Sequence, residues 1–307
     1  MAAHPPSAER PLDSVAARAS LRRLRMQAEA PWLHREVARR MGERLALIRL
    51  QPTRIVEWWG GLGGGADVLD AAYPKAERLI VEPDAAWAAK TRAAIARPWW
   101  SAARWGRGTS AVQEESAAID PGAGLVWSNM SLHLVKDPPA LFERWEKVLG
   151  ADGFVMFSCL GPDTVRALRD LYARAGWPAP AAGFVDMHDF GDMMIGAGFA
   201  DPVMDQETLS LRWDSAEALL AELRTLGGNT APERFTGLRT PRWRARLVSE
   251  LEALRGADGK IGLGFEVAYG HAFKSAPRAA RPVATTVTLD EMRQKIRARR
   301  PSGHDGA

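Results

Sequence analysis

The sequence predicts an α/β fold built on a doubly wound, mainly parallel sheet with added helices. Short apolar runs alternate with amphipathic helical stretches along the chain, and strands that alternate with helices normally form a parallel sheet. The first apolar run, 55–59, stops at a glycine-rich turn over 60–65 that opens a helix, which is typical of a βαβ unit. The composition, with 46% hydrophobic and 25% charged residues, is that of an ordinary globular domain.

The first 52 residues precede the sheet and are predicted to be mostly helical. A disordered lead is expected over 1–14, followed by a helical cap over 15–52. Leucine, valine and methionine recur there at spacings of three or four, with arginines between them. Pro31 interrupts this pattern and predicts a division into two helices.

The sheet domain is predicted over 53–275, with a helical insertion at about 214–260 and a basic tail over 276–307. The predicted strands are 55–59, 78–82, one near 102–112, 124–129, 154–158, 203–211 and 265–273. One helix is predicted to begin near Ala66, and further helices cover 85–95, 139–149, 162–175, 187–197 and 214–225, the last with Asp214 as N-cap. Much of 231–260 is also predicted to be helical, as is 289–300 in the tail.

Composition excludes several classes of protein. Cys159 is the only cysteine, so neither a disulfide framework nor a cysteine-based metal site forms within one chain. His188 and Asp189 lack a third ligand at suitable spacing, so no metal is expected. No apolar run is long enough for a membrane span or a signal peptide, which predicts a cytoplasmic protein.

Charge is concentrated at the two ends of the chain. Residues 1–50 carry 10 arginines against 5 acidic residues, within a net charge of +4. This excess predicts either an acidic protein partner or plain solvated helix faces, and no nucleic-acid partner is expected.

The glycine loop supports two interpretations. One is the dinucleotide fingerprint, which fits the spacing Gly61-x-Gly63-x-x-Ala66 with Glu82 at the end of the next strand. In that interpretation the protein is an NAD-dependent oxidoreductase, and Glu82 binds ribose hydroxyls. S-adenosylmethionine (SAM) also carries a ribose diol, which Glu82 would suit equally. Glu57, just before the loop, would repel a pyrophosphate but would pair with the amino group of a methionine moiety. The oxidoreductase interpretation also lacks an evident acid/base set, so SAM is favoured.

Five further segments carry a resemblance to a known family. They are Ser128–His133, Phe157–Thr164, Met187–Asp192, Ala197–Asp205 and Tyr269–Ala272. Through them, residues 17–275 resemble the malonyl-acyl-carrier-protein methyltransferases of biotin synthesis and the related assembly factors of mitochondrial respiratory complex I. The resemblance implies a class I SAM methyltransferase that methylates the free carboxylate of a malonyl thioester. Its partner would be acyl carrier protein, an acidic protein that the basic helical ends would dock.

The candidate cofactor-binding residues are Glu57, Gly61, Gly63, Glu82 and Asn129. Asn129 follows the fourth predicted strand, where it would either face the ligand or bond its own turn. His133 would line the acceptor pocket or pack in the core. Tyr269 and His271 are expected to pack on the last strand.

The loop and two strand ends depart from the family pattern. Trp59 stands where the first loop glycine belongs, and its side chain disfavours the positive φ that glycine adopts easily. No clear acidic residue follows the third predicted strand to bind the adenine amino group, because Glu114 or Glu115 needs a shifted register. At the start of the fourth predicted strand, where the family usually has an aspartate, this chain has Ala123-Gly124. These departures motivate an alternative: a degenerate family member with a binding or assembly role and no chemistry.

Overall fold

A seven-stranded sheet forms the centre of the protein in the computed structural model, which describes residues 11–96 and 108–275. The chain divides into two units after Ser275, and all described residues belong to the first unit. The strands are β1 Arg54–Trp58, β2 Glu77–Glu82, β3 Ser110–Glu114, β4 Ala123–Ser128, β5 Leu149–Leu160, β6 Phe199–Trp213 and β7 Ile261–Lys274.

The helices flank this sheet. They are α1 Ser14–Arg25, α2 Trp32–Leu45, α3 Gly60–Gly63, α4 Ala66–Ala72, α5 Ala85–Ile95, α6 Pro138–Val148, α7 Arg166–Arg174, α8 Met187–Gly196, α9 Ala216–Thr225 and α10 Pro241–Glu252. A 3₁₀ turn spans Leu132–Leu134. No helix among the described residues is long and apolar enough to cross a membrane.

The strand order is β3-β2-β1-β4-β5-β7-β6. Strands β1 to β5 pair in parallel, whereas β7 runs antiparallel to both β5 and β6. The predicted doubly wound, mainly parallel sheet is therefore confirmed. Because the parallel strands share one direction, the residues that follow β1, β2, β3 and β4 meet at the carboxyl edge.

Two apolar layers hold the helices to the sheet, because strand side chains alternate between its faces. On β5, Phe154 and Met156 join the layer that contains α2, α7, α9 and α10. Val155 and Phe157 point to the other face, where α5, α6 and α8 pack. Four buried tryptophans, Trp58, Trp87, Trp127 and Trp145, are among the largest side chains of these layers.

Several predicted boundaries were wrong. The third strand is 110–114 instead of 102–112, and 97–107 lies outside the described residues. Ser215, not Asp214, caps α9, since its hydroxyl accepts from the Ala218 N–H. Helix occupies only 241–252 of the predicted 231–260. The segment 289–300 also lies outside the described residues.

Pro31 separates the first two helices as predicted. It is the N-cap residue of α2, with an extended ψ of 146°. The residue before it lies beside the glycine loop, where a Cβ on Gly64 would lie 2.8 Å from the Ala30 side chain.

Candidate functional site

The candidate site lies at the carboxyl edge of the sheet. Glu57 is the penultimate residue of β1, Glu82 is the last residue of β2, and Asn129 directly follows β4. The glycine loop between β1 and α4 forms a single helical turn, α3, over this edge. The topology therefore brings all five predicted cofactor-binding residues into one region.

Glu57 is a buried carboxylate beneath the loop. Its side chain is so close to Gly60 that a Cβ there would lie 2.7 Å from the Glu57 carboxyl carbon. Its Oε2 lies 3.5 Å from Nε of the buried Arg78 and accepts no hydrogen bond from the described residues. Burial raises the pKa of Glu57, and the nearby Arg78 charge only partly opposes this shift.

Glu82 is the second buried acceptor. Its Oε1 accepts hydrogen bonds from the Gly61 N–H at 2.8 Å and from the Thr91 hydroxyl at 2.7 Å. Its Oε2 is buried and accepts none from the described residues. Burial raises the pKa of Glu82 to about 7, although both hydrogen bonds favour the ionised form.

Asn129 ties three elements together. Its Nδ2 donates to the Gly63 carbonyl at 2.5 Å and to the His34 carbonyl at 2.8 Å, and its Oδ1 accepts from the Ser158 hydroxyl at 2.6 Å. The side chain therefore bonds the glycine loop, α2 and β5 instead of its own turn. Because Asn129 is only 1% exposed, these bonds fix the loop against the end of β4.

His133 lies on the 3₁₀ turn after β4 and is buried. Its ring meets His34 edge-on at 6.3 Å between centroids and Phe184 at 6.4 Å. Burial lowers the pKa of His34 to about 4, so that ring is neutral at pH 7. His133 is thus enclosed by rings on the side of the site nearest α2.

Glu115, which the sequence offered after the third strand only with a shifted register, is a further site residue. It directly follows β3 and lies beside the end of β2, where its N–H donates to the Glu82 carbonyl. Its Oε2 accepts a 2.8 Å hydrogen bond from Nε1 of Trp59. Burial raises the pKa of Glu115, with the Trp59 hydrogen bond and the Arg144 charge opposing the shift. An acidic residue therefore does follow the third strand, which ends at Glu114 and not near residue 112 as predicted.

Other residues singled out from the sequence have partners outside the candidate site. Tyr269 donates its hydroxyl to Glu207 Oε1 at 2.7 Å, and the His271 ring packs against Phe273. His188 faces Asp186 at 2.7 Å on the surface. Within 11–96 and 108–275, no group of three metal-ligating side chains converges.

The polar groups at this edge fit SAM, but the loop lies closed over them. Two buried carboxylates, Glu57 and Glu82, each have an oxygen that accepts no hydrogen bond from the described residues. Such oxygens suit an amino group and a ribose diol. The Gly61 N–H, however, is bonded to Glu82, and the Trp59 side chain is only 5% exposed. The loop therefore bonds one oxygen of Glu82 and leaves the other without a hydrogen bond from the described residues.

The raised pKa of Glu82 predicts a pH-dependent stability. The folded protein holds the proton of the Glu82 carboxyl group more tightly than the unfolded chain does. The protonated group therefore contributes fully to the free energy of unfolding below the ordinary pKa of 4.5, and this contribution is lost as pH rises through about 7. Glu82→Gln keeps an acceptor for Gly61 and Thr91 but cannot ionise. We expect its free energy of unfolding to exceed that of the wild type at pH 8 by on the order of 3 kcal/mol.

Urea unfolding at pH 5 and pH 8 measures this effect. The two proteins should differ little at pH 5, and Glu77→Gln, at an exposed position of the same strand, should follow the wild type throughout. Parallel pH profiles for Glu82→Gln and the wild type would contradict the prediction.

The fold is similar to a solved structure of low sequence identity. The crystal structure of the YcgJ protein from Bacillus subtilis aligns with a TM-score of 0.51 at 11% identity, covering 77% of this chain and 98% of that chain. No protein-family model matches the sequence. At this identity the likeness concerns the fold alone, which is Rossmann-like.

Curated relatives are far more similar in sequence. A malonyl-acyl-carrier-protein O-methyltransferase from Gallionella capsiferriformans is 38% identical over 259 residues, which covers 83% of this chain and 88% of the relative. One of the same name from Laribacter hongkongensis is 35% identical over 256 residues, covering 81% and 85%. Identity at this level over most of both chains shows that the protein belongs to the malonyl-acyl-carrier-protein O-methyltransferase family.

Proposed function

We propose that this chain is a SAM-dependent methyltransferase whose acceptor is the free carboxylate of a malonyl thioester on acyl carrier protein. The observation that carries the proposal is the 38% identity to a relative with that name over 259 residues. The acidic and amide groups at the carboxyl edge support it. The resemblance found in the sequence assigns such a reaction to biotin synthesis.

The residues at the carboxyl edge would bind the polar groups of the cofactor. Glu82 is suited to ribose hydroxyls and Glu57 to the methionine amino group. Gly61 and Gly63 let a ligand approach the backbone closely. Asn129 holds the loop to β4 and α2. When bound, SAM supplies a methyl group on a positively charged sulfur.

The chain itself needs no general base for this chemistry. A malonyl carboxylate is already ionised at neutral pH, because the ordinary pKa of a carboxyl group is about 4. The protein contributes alignment of the acceptor and exclusion of water. His133, enclosed by the rings of His34 and Phe184, is the candidate wall for the acceptor, and the fully buried Leu62 and Leu132 keep water from that side.

Helix α1 offers a docking face for the acidic carrier. Its end lies at the carboxyl edge, because Lys90 on α5 donates to the carbonyls of Arg25 and Gln27 at 2.9 and 2.6 Å. Arg18 and Arg22 are exposed one turn apart. A basic helix beside the site entrance suits a partner with negative charge.

Methylation of purified malonyl-acyl carrier protein tests the function. The protein is incubated with SAM and carrier, and intact-mass spectrometry measures the gain of one methyl group on the carrier. Succinyl-acyl carrier protein serves as the control for acceptor length, and carrier without an acyl group as the control for the thioester. A chain that binds SAM yet leaves malonyl-carrier unmethylated would rule out this acceptor.

Reversing the charge on α1 should weaken carrier recognition without affecting catalysis. For Arg18→Glu/Arg22→Glu we expect the KM for malonyl-carrier to rise about tenfold with little change in kcat, because surface charges act mainly on encounter. The matched control is Arg49→Glu/Lys75→Glu, two exposed positions that precede β1 and β2 and so lie at the opposite edge of the sheet. Equal effects of the two double variants would mean that α1 is not a specific docking face.

A binding role without catalysis is the second candidate function, and Trp59 favours it. This residue replaces the first loop glycine, and its buried indole hydrogen-bonds Glu115. Calorimetric titration with S-adenosylhomocysteine separates the candidates. Binding near a micromolar Kd, about −8 kcal/mol, supports the methyltransferase. The absence of heat and of a thermal shift at millimolar ligand supports the binding role.

A further inference from the structure

We infer that the indole of Trp59 occupies the place of the cofactor's adenine ring, so that the protein carries its own competitor for SAM. The inference rests on the proposed function, because it assumes that SAM binds at the carboxyl edge. Trp59 departs from the family pattern, and we expect this departure to lower the affinity for the cofactor.

The backbone at Trp59 places the side chain in an unusual direction. Its φ of 55° and ψ of 47° lie in the left-handed region, which glycine adopts far more easily than other residues. The backbone at this position is anchored to β2, since the Trp59 N–H donates to the Val81 carbonyl at 2.6 Å. A glycine here would leave open the space that the indole fills.

The chemistry of the indole matches that of adenine at one contact. Trp59 is an aromatic heterocycle whose N–H donates to Glu115 Oε2 at 2.8 Å. Adenine is an aromatic heterocycle with an exocyclic amine, and a carboxylate that follows the third strand would accept from it in the same way. Arg144 lies 3.7 Å from the other oxygen of Glu115 and supports its negative charge.

The position of Trp59 also closes the rest of the site. Its carbonyl accepts from the N–H groups of Leu62 and Gly63 at 3.0 and 2.9 Å, which forms the helical turn of α3. Within that turn, the Gly61 N–H donates to Oε1 of Glu82, the residue proposed for ribose, which leaves only Oε2 without a hydrogen bond from the described residues. The ring and the loop therefore belong to one closed arrangement. Because only the open arrangement can bind the cofactor, the observed affinity is reduced by the fraction of protein that is open.

Calorimetric titration with S-adenosylhomocysteine tests the inference by binding alone. Trp59→Gly and Trp59→Asn both remove the ring, and asparagine also tolerates the left-handed backbone if the glycine variant fails to fold. We expect both to bind at least about tenfold more tightly than the wild type. The matched control, Trp59→Phe, keeps a ring in place and should stay within about threefold of the wild type. Circular dichroism melts verify that each variant is folded.

The outcomes separate this inference from the proposed function. Equal affinity of the wild type and both ring-removing variants would overturn the inference and leave the methyltransferase proposal standing. A gain for Trp59→Phe as large as that for Trp59→Gly would also overturn it, because the ring would not be the obstacle. No binding by any variant would overturn the inference and the proposed cofactor together.

Discussion

Asn129→Asp is expected to lower the free energy of unfolding by about 3–5 kcal/mol at neutral pH, the typical cost of a buried charge without a partner. In the wild type, Nδ2 donates to the carbonyls of Gly63 and His34 at 2.5 and 2.8 Å. A carboxylate would instead place an oxygen against two carbonyl oxygens at a position that is 1% exposed. The glycine loop would lose its attachment to β4, and we expect binding of S-adenosylhomocysteine to weaken with it.

The penalty of Asn129→Asp should depend on pH. The introduced carboxyl group would be buried and its pKa raised, so its protonated form, which donates one hydrogen bond, persists at low pH and is lost as pH rises. Urea unfolding should therefore show a larger deficit at pH 8 than at pH 5. The matched control is Asn229→Asp, at a half-buried position where Nδ2 donates to a single carbonyl at 2.6 Å. A variant as stable as the wild type at pH 8 would contradict the expected repulsion.

Arg78→Met is expected to cost a similar 3–5 kcal/mol, because it leaves the buried Glu57 carboxylate without a nearby cation. The side chains of Arg78 and Glu57 are 9% and 2% exposed, and Nε lies 3.5 Å from Oε2. Arg78 also donates to the Ala66 carbonyl at 3.0 Å and so joins β2 to the start of α4. Chemical unfolding of the purified variant measures the loss.

A double-mutant cycle identifies the cause of that loss. In a Glu57→Gln background the fully buried charge is gone and only the partly exposed Asp70, 3.2 Å from Arg78, still pairs with it, so Arg78→Met should cost considerably less. The surface control is Arg166→Met, whose partner Asp163 is half exposed, and exposed pairs of this kind contribute at most about 1 kcal/mol. If Arg78→Met costs the same with and without Glu57, the ion pair is not what stabilises this edge.

Local periodicity predicted most of the secondary structure. The alternation of apolar runs with amphipathic stretches placed β1, β2 and β4 within one or two residues, because strand and helix patterns are properties of neighbouring residues. The same reasoning failed at β3, a five-residue strand at the edge of the sheet with no buried residue. A short, polar edge strand has no apolar period to detect. Glu115 could not be assigned to the end of this strand for that reason.

The candidate site was only partly accessible to the same reasoning. Glu57, Glu82 and Asn129 were selected because they lie close to the ends of predicted strands. Gly61 and Gly63 were selected from the spacing of the glycine loop. The topology brings all five to one edge. Their individual roles in cofactor binding stay predictions. The closed state of the loop had no local signal, since it depends on where the Trp59 indole and the Gly61 N–H find acceptors.

The sequence by itself determined the fold class and the family, because strand–helix periodicity and short motifs are local and survive in the order of residues. Only the tertiary structure decided which groups meet. Trp59 and Glu115 are 56 residues apart, and Asn129 and Gly63 are 66 residues apart. Such contacts form only when parallel strands return to the same edge of the sheet. Burial at that edge raises the pKa of Glu82. The path of the loop decides which carboxylate oxygens are already hydrogen-bonded and which are left for a ligand.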